Sequence, residues 1–299
     1  MAHFVEFQPQ HLDELADFCN RNFEFHQGQF ETKILQKRIF DDPDYHPEHG
    51  FFLREKGKTV GVMIGVLRGN DAWLKLFAID WEHRRSGFAS IMLAEIEALF
   101  RSEGAARVHV LNSSPYYLMP GLDPRYTEAL CFLQSHGYAF DRYVHNMAVD
   151  LTADDFDATQ AESKLARAGI KIRRLKHEEK QTYYEWMIAT WSKNWTTESC
   201  NSLKHTPITT FVALDPDRNI CGFASYDVTM FRGGFGPTGV EERRRGLGIG
   251  KVLFFRCLRD MKDRGYSRCE IGWVGPVAFY AHTANARICA TFIQGSKQL

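Results

Sequence analysis

Residues 245–251 read Arg-Gly-Leu-Gly-Ile-Gly-Lys and run directly into the apolar stretch Val252-Leu253-Phe254-Phe255. Glycine inside a helix costs about 1 kcal/mol relative to alanine. Three glycines at alternate positions therefore serve something other than helix stability. A fainter copy, Arg-Arg-Ser-Gly-Phe-Ala-Ser, occupies 84–90, which is 161 residues earlier (245 minus 84). Each copy follows a β-rich run and precedes an amphipathic helix. In that context glycines let backbone N–H groups converge on an anion, and the helix end adds roughly half a positive charge.

Three phosphate-loop patterns compete. The Walker-type loop fails, because three residues rather than four separate Gly246 from Gly250-Lys251, and Val252 stands where a metal-binding hydroxyl belongs. The dinucleotide pattern fails because it needs a glycine at Lys251. The third, Arg/Gln-x-x-Gly-x-Gly/Ala, is met by Arg245, Gly248 and Gly250, and again by Arg84, Gly87 and Ala89. With these residues the chain resembles the GNAT superfamily of N-acetyltransferases, in which this loop holds the pyrophosphate of acetyl-CoA. The resemblance covers nearly the whole sequence as two copies, 1–151 and 169–299, joined by a polar linker at 152–168.

The order of elements around the loops supports a duplication. In the first half, His3–Pro9 reads as a strand, and Gln10–Phe23 and Thr32–Asp41 as helices. Phe51–Arg54, Thr59–Arg68 and Ala72–Ile79 form a meander, followed by a helix over Ser90–Ser102 and a strand at Arg107–Leu111. A helix over Arg125–His136, with Asp123 as N-cap, leads to a closing hairpin, Tyr138–Tyr143 with His145–Leu151. In the second half the series is Ile170–Leu175, Glu178–Ser192, Thr209–Leu214, Ile220–Val228, Phe235–Val240, a helix over Lys251–Arg264 and a strand at Arg268–Val274. A helix opening at Pro276 and one strand, Ile288–Ile293, end the second copy, so its final strand is expected to be absent or supplied by the partner domain or another chain. The fold class implied is α/β with a mixed sheet (α+β): two GNAT-like acyl-CoA N-acyltransferase domains in tandem, related by a pseudo-twofold axis.

The resemblance implies acetyl-CoA, a CoA thioester, as cofactor. Its carbonyl would meet a main-chain N–H near Thr238, Gly239 or Val240. Its diphosphate would lie on Arg245, Gly246, Leu247, Gly248, Ile249, Gly250 and Lys251, with Arg84, Gly87 and Ala89 as the first copy's equivalents. In this family the acceptor amine attacks the thioester directly, and a tyrosine on the last helix protonates the leaving thiolate; Tyr280 fits that place. A phenol of pKa near 10 is protonated at neutral pH and suits a thiol of about 8.5. A carboxylate or a water chain must take the amine's proton, and Glu241, Glu242, Asp227 and Glu270 remain open as candidates. Leu133 stands where the first copy would carry its tyrosine, and Ala89 and Phe88 make its loop weaker. The first copy is therefore expected to be degenerate and the second catalytic.

Composition narrows the partners. The chain has 299 residues, 44% hydrophobic and 25% charged, with 37 basic and 37 acidic side chains. No net field favours nucleic acid or an anionic membrane, and the Arg243-Arg244-Arg245 run fits a phosphate-rich cofactor. No apolar run approaches the roughly 20 residues of a membrane span. The seven cysteines are scattered and the twelve histidines never pair at metal-ligand spacing. This suits a reducing cytoplasm and no metal. The chain is expected to be a monomer with pseudo-dimeric domain pairing. Trp186, Trp191 and Trp195 fall near the acceptor wall, and Ser114–Tyr126 forms a loop of unassigned role. The leading reading is an acetyl-CoA-dependent N-acetyltransferase acting on a primary amine of a small molecule or of a peptide or protein. The alternative is a non-catalytic acyl-CoA-binding sensor or scaffold.

Overall fold

The computed structural model describes residues 2–26, 28–229 and 232–299. In chain order its first elements are β1 (Ala2–Glu6), α1 (Leu12–Asn22), α2 (Thr32–Leu35), β2 (Gly50–Glu55), β3 (Lys58–Arg68) and β4 (Asp71–Ile79). Next come α3 (Phe88–Ser102), β5 (Arg107–Val110), α4 (Thr127–Ser135) and β6 (Ala139–Asp150). The second series is α5 (Thr159–Arg167), β7 (Lys171–Arg174), α6 (Lys180–Thr190), α7 (Lys193–Cys200), β8 (Thr210–Leu214), β9 (Ile220–Tyr226) and β10 (Gly234–Val240). It closes with α8 (Ile249–Asp263), β11 (Arg268–Val274), α9 (Val277–Ala284) and β12 (Arg287–Gln298).

Contacts divide the chain into an N-terminal unit, Met1–Val144 with Thr291–Leu299, and a C-terminal unit, His145–Ala290. In the N-terminal unit β1 to β4 are an antiparallel meander, β4 pairs with β5 in parallel, and the end of β12 pairs antiparallel with β5 through Ser296↔His109 and Gln298↔Arg107. The C-terminal unit repeats this: β7 to β10 form the meander, β10 runs parallel to β11, and the His145–Asp150 part of β6 lies antiparallel to β11.

Glycine brings each central helix onto its sheet. A Cβ on Gly65 would stand 2.4 Å from the Phe100 ring of α3, and one on Gly61 would stand 2.7 Å from Met92 Sδ. Gly222 of β9 is the counterpart of Gly61, with Leu253 and Ile249 of α8 at 3.3 and 3.4 Å from its built Cβ. α3 buries Met92, Leu93, Ile96 and Phe100 at helical spacing, each side chain contributing about 1.5–3 kcal/mol on leaving water.

Three expectations change. The closing hairpin is one continuous strand, β6, whose two parts belong to different units. The final strand of the C-terminal copy is not one of these: as one of the expected alternatives had it, the strand is supplied from the preceding copy's sequence, His145–Asp150 taking that place beside β11. The stretch 152–168 does more than connect: Phe156, Ala158 and Leu165 are buried in the core of the C-terminal unit. α4 also starts later than the Asp-Pro signal implies. Asp123 does accept a backbone hydrogen bond from Arg125 at 3.0 Å, but the helix begins at Thr127.

Candidate functional site

The two loops have the same backbone. Gly87, at φ 82°, precedes α3, and Gly248, at φ 91°, precedes α8. Two residues earlier Arg85 lies at φ 63° and its equivalent Gly246 at φ 82°. The left-handed conformation costs a non-glycine residue about 1–2 kcal/mol, so the first copy keeps the loop geometry at a cost. Among the described residues, no backbone N–H from Arg85 to Ala89 or from Gly246 to Gly250 donates to a protein acceptor. A Cβ built on Gly87, Gly246 or Gly248 meets nothing within 4 Å, so both loops present their amides to open space at a helix N-terminus. Gly250 is dispensable as a glycine. Its built Cβ makes only ordinary contacts, 3.8 Å from Phe279 and Val240. Ala89, at the equivalent place in the first copy, is thus compatible with the same backbone.

The first loop borders a cleft of about 380 Å³ that lies wholly within the N-terminal unit. Phe77, Ala78 and Ile79 of β4, the loop residues 83–85 and 87–90, and Ala129 and Phe132 of α4 line it, with Phe23 and Tyr126. β4 and β5 pair only as far as Leu74↔Val110, whereas β4 stays paired with β3 to Ile79↔Gly61. In an antiparallel ladder successive N–H groups point to opposite edges. Asp80 N donates to Val60 O at 2.9 Å; Ala78 shares that edge, and the amides of Phe77 and Ile79 face the other, beyond the end of β5. They are donors suited to a carbonyl oxygen, and one well-placed donor of this kind is worth about 3–4 kcal/mol. Asn22 fixes the rim: its Nδ2 donates to Phe18 O at 2.9 Å, and its Oδ1 accepts Trp81 N–H at 2.9 Å.

At the matching place in the C-terminal unit, the same alternation turns the amides of Thr238 and Val240 to the open edge and ties Gly239 to β9, since Glu241 N donates to Cys221 O at 2.9 Å. Trp191 packs against the Gly239 backbone, its ring atoms 2.5–3.0 Å from the built Cβ. It stacks on Trp195 at 5.4 Å and meets Trp186 edge-on at 6.3 Å. Glu241 is occupied on both oxygens, by Trp186 Nε1 at 2.9 Å and Arg243 Nε at 2.8 Å. Glu242 is exposed in the turn before Arg245, whose Nε donates to Val240 O at 3.2 Å. Lys251 lies over the Phe255 ring at 5.2 Å, and Leu247 is exposed while Ile249 is buried. Asp227 accepts from Gly233 N and Tyr266 Oη, and Glu270 from Asn146 Nδ2 and Arg268.

Tyr280 sits in the core. It is 5% exposed, its ring edge-on to Phe254 at 5.2 Å, Phe279 at 5.0 Å and Phe235 at 6.1 Å. Burial pushes its phenol well above the ordinary tyrosine range. Its helical neighbour Phe279, not Tyr280, reaches the loop at Gly250. Leu133 is equally buried in α4, while the adjacent Phe132 lines the cleft. The sequence reading passed over Phe77, Ile79 and Tyr126. Strand alternation beside the Arg84 loop was the available signal for the first two.

A sequence model described as the acetyltransferase (GNAT) family matches residues 12–116 and again 173–282. The chain belongs to the GNAT acetyltransferase family. Solved structures share its fold. One is described as a GCN5-related glucosamine N-acetyltransferase region in a fungal multi-domain GH3 β-N-acetylglucosaminidase, with a TM-score of 0.81 at 17% identity. The match covers 99% of this chain and 38% of that one. A GCN5-related N-acetyltransferase from Sphaerobacter thermophilus gives a TM-score of 0.74 at 16% identity, covering 99% and 95%. A tandem GNAT protein of the clavulanic acid biosynthesis pathway gives 0.70 at 14%, covering 100% and 98%. Comparison with curated proteins gives no match. Among the described residues no helix is long and apolar enough to cross a membrane. The GNAT repeats thus carry two loops of one geometry.

Proposed function

We propose that this GNAT protein moves an acetyl group from acetyl-CoA to a primary amine of a small molecule or peptide, and that the N-terminal cleft holds the thioester. The observation that carries this reading is the cleft that brings the Arg84–Ala89 amides and the unpaired Phe77 and Ile79 amides to one cavity. When bound, acetyl-CoA supplies an activated acetyl group on a thiol leaving group. The loop amides and the start of α3 hold its diphosphate. The β4 amides bind the carbonyl oxygen, more strongly as it gains charge. The apolar walls from Phe23, Phe77 and Phe132 exclude water and favour the neutral form of an entering amine. Placing the reaction in the first copy reverses the weighting that Leu133 and Ala89 suggested.

The first-named structural neighbour is described as a glucosamine N-acetyltransferase region, so an amino sugar belongs in the acceptor screen beside a polyamine and a peptide with a free α-amine. The test is thermal stabilisation by acetyl-CoA, about 2.7 kcal/mol at a hundred times Kd, with release of free CoA thiol in the presence of these amines. A protein neither stabilised by acetyl-CoA nor releasing thiol would refute the proposal.

A further inference from the structure

We propose that Tyr126, backed by His26, takes the proton from the attacking amine in the N-terminal cleft. The inference rests on the reading that this cleft holds the acetyl thioester.

Tyr126 lines the cleft immediately before α4. Its Oη lies 2.9 Å from His26 Nδ1 and accepts the Phe25 N–H at 3.2 Å. The His26 ring stacks on the Tyr126 ring at 5.7 Å, with Phe292 on another side at 6.3 Å. His26 Nε2 is 3.7 Å from Asp123 Oδ2. Asp123 is 2% exposed and gripped by the Arg125 guanidinium at 3.1 and 2.6 Å. A carboxylate on that side favours the tautomer with hydrogen on Nε2, leaving Nδ1 to accept the Tyr126 O–H. Tyr126 then spends one lone pair on Phe25 and keeps the other for the cleft.

The groups facing the imidazole are Tyr126, Asp123 and Arg125, with Glu24 facing Tyr126. Burial lowers the proton affinity of His26 below the ordinary 6.5, against an opposing pull from Asp123. Burial also raises the Tyr126 phenol to about 12. At neutral pH both are uncharged: a phenol that holds its proton and an imidazole free to receive one. As the amine nitrogen bonds to the carbonyl carbon, its proton passes to Tyr126 Oη and the phenolic proton passes to Nδ1. The C–S bond breaks, and return of the proton through Tyr126 to the thiolate sulfur gives free thiol and restores both residues.

The experiment follows acetyl-CoA stabilisation and thiol release by the full chain with glucosamine, spermidine and a peptide carrying a free α-amine, from acid to alkaline pH. Tyr126→Phe is expected to bind acetyl-CoA as the wild type does, with kcat reduced about 10²–10⁴-fold and KM little changed. Wild-type kcat should fall at acid pH as His26 protonates, and His26→Gln should erase that limb, which a merely structural histidine would leave in place. Full turnover in a folded, acetyl-CoA-binding Tyr126→Phe overturns the inference and leaves the acetyltransferase reading standing. A wild type that shows no stabilisation, or no thiol release with any of the three amines, overturns both. If Tyr126→Phe does not fold, His26→Gln decides: an acid limb that persists overturns the inference.

Discussion

Arg85 stands where the second copy has Gly246, and both positions hold the left-handed backbone. The glycines differ among themselves for the same reason. Gly248→Ala is expected to cost about 1–2 kcal/mol by forcing a side chain into φ 91°. Gly250→Ala should stay within about 0.5 kcal/mol, because its Cβ has room and Ala89 already occupies the equivalent place; thermal denaturation of the two variants checks the contrast. Tyr280 teaches the converse. The motif position was legible, but which side of α9 faces the loop was not, and the ring packs among Phe235, Phe254 and Phe279. Tyr280→Phe is expected to leave thiol release within about twofold of wild type, with the phenol's absence read in near-ultraviolet absorbance only.

Secondary structure was largely visible because hydrophobic period and turn chemistry agree along the meanders. The meander, the central helix and the following strand all fall where their patterns place them in each repeat. β6 escaped because its two halves serve different neighbours, so its burial pattern changes midway and imitates a break. A polar anchor was also hidden. Asp42, after α2, is fully buried against Lys75 of β4 and Arg68 of β3, with the Arg68 contact at 2.6 Å. Removing one partner of such a pair leaves an uncompensated buried charge. Asp42→Ala is expected to destabilise the N-terminal unit by about 3–5 kcal/mol, seen as a lowered midpoint in urea denaturation, and an unchanged midpoint would contradict the account of this contact.

Duplication and family membership could be read from two short loops in matching contexts, but chain exchange could not. β5 takes its outer neighbour from the far end of the sequence, and no local pattern announces a pairing of that separation. Phe292 and Ile293 are buried in the N-terminal unit, Gln294 Nε2 donates to Pro120 O at 2.7 Å, and Lys297 pairs with Glu97 at 2.7 Å. Deleting 291–299 is expected to destabilise that unit by several kcal/mol, about 1.5–3 for each buried apolar side chain, and to expose the edge of β5. Calorimetry should show the loss as a lowered or missing transition. The cleft, likewise, was not legible: Phe23 and Tyr126 line it from segments distant in sequence from the Arg84 loop.

The central claim is that the N-terminal loop and cleft hold the CoA thioester. A crystal structure of the full chain grown with CoA tests it most directly. The account requires the diphosphate at hydrogen-bond distance, about 2.7–3.2 Å, from amides between Arg85 and Ala89, with the pantetheine arm along Phe77–Ile79. Coenzyme bound at Gly246–Gly250 alone, with the N-terminal cleft empty, would contradict it.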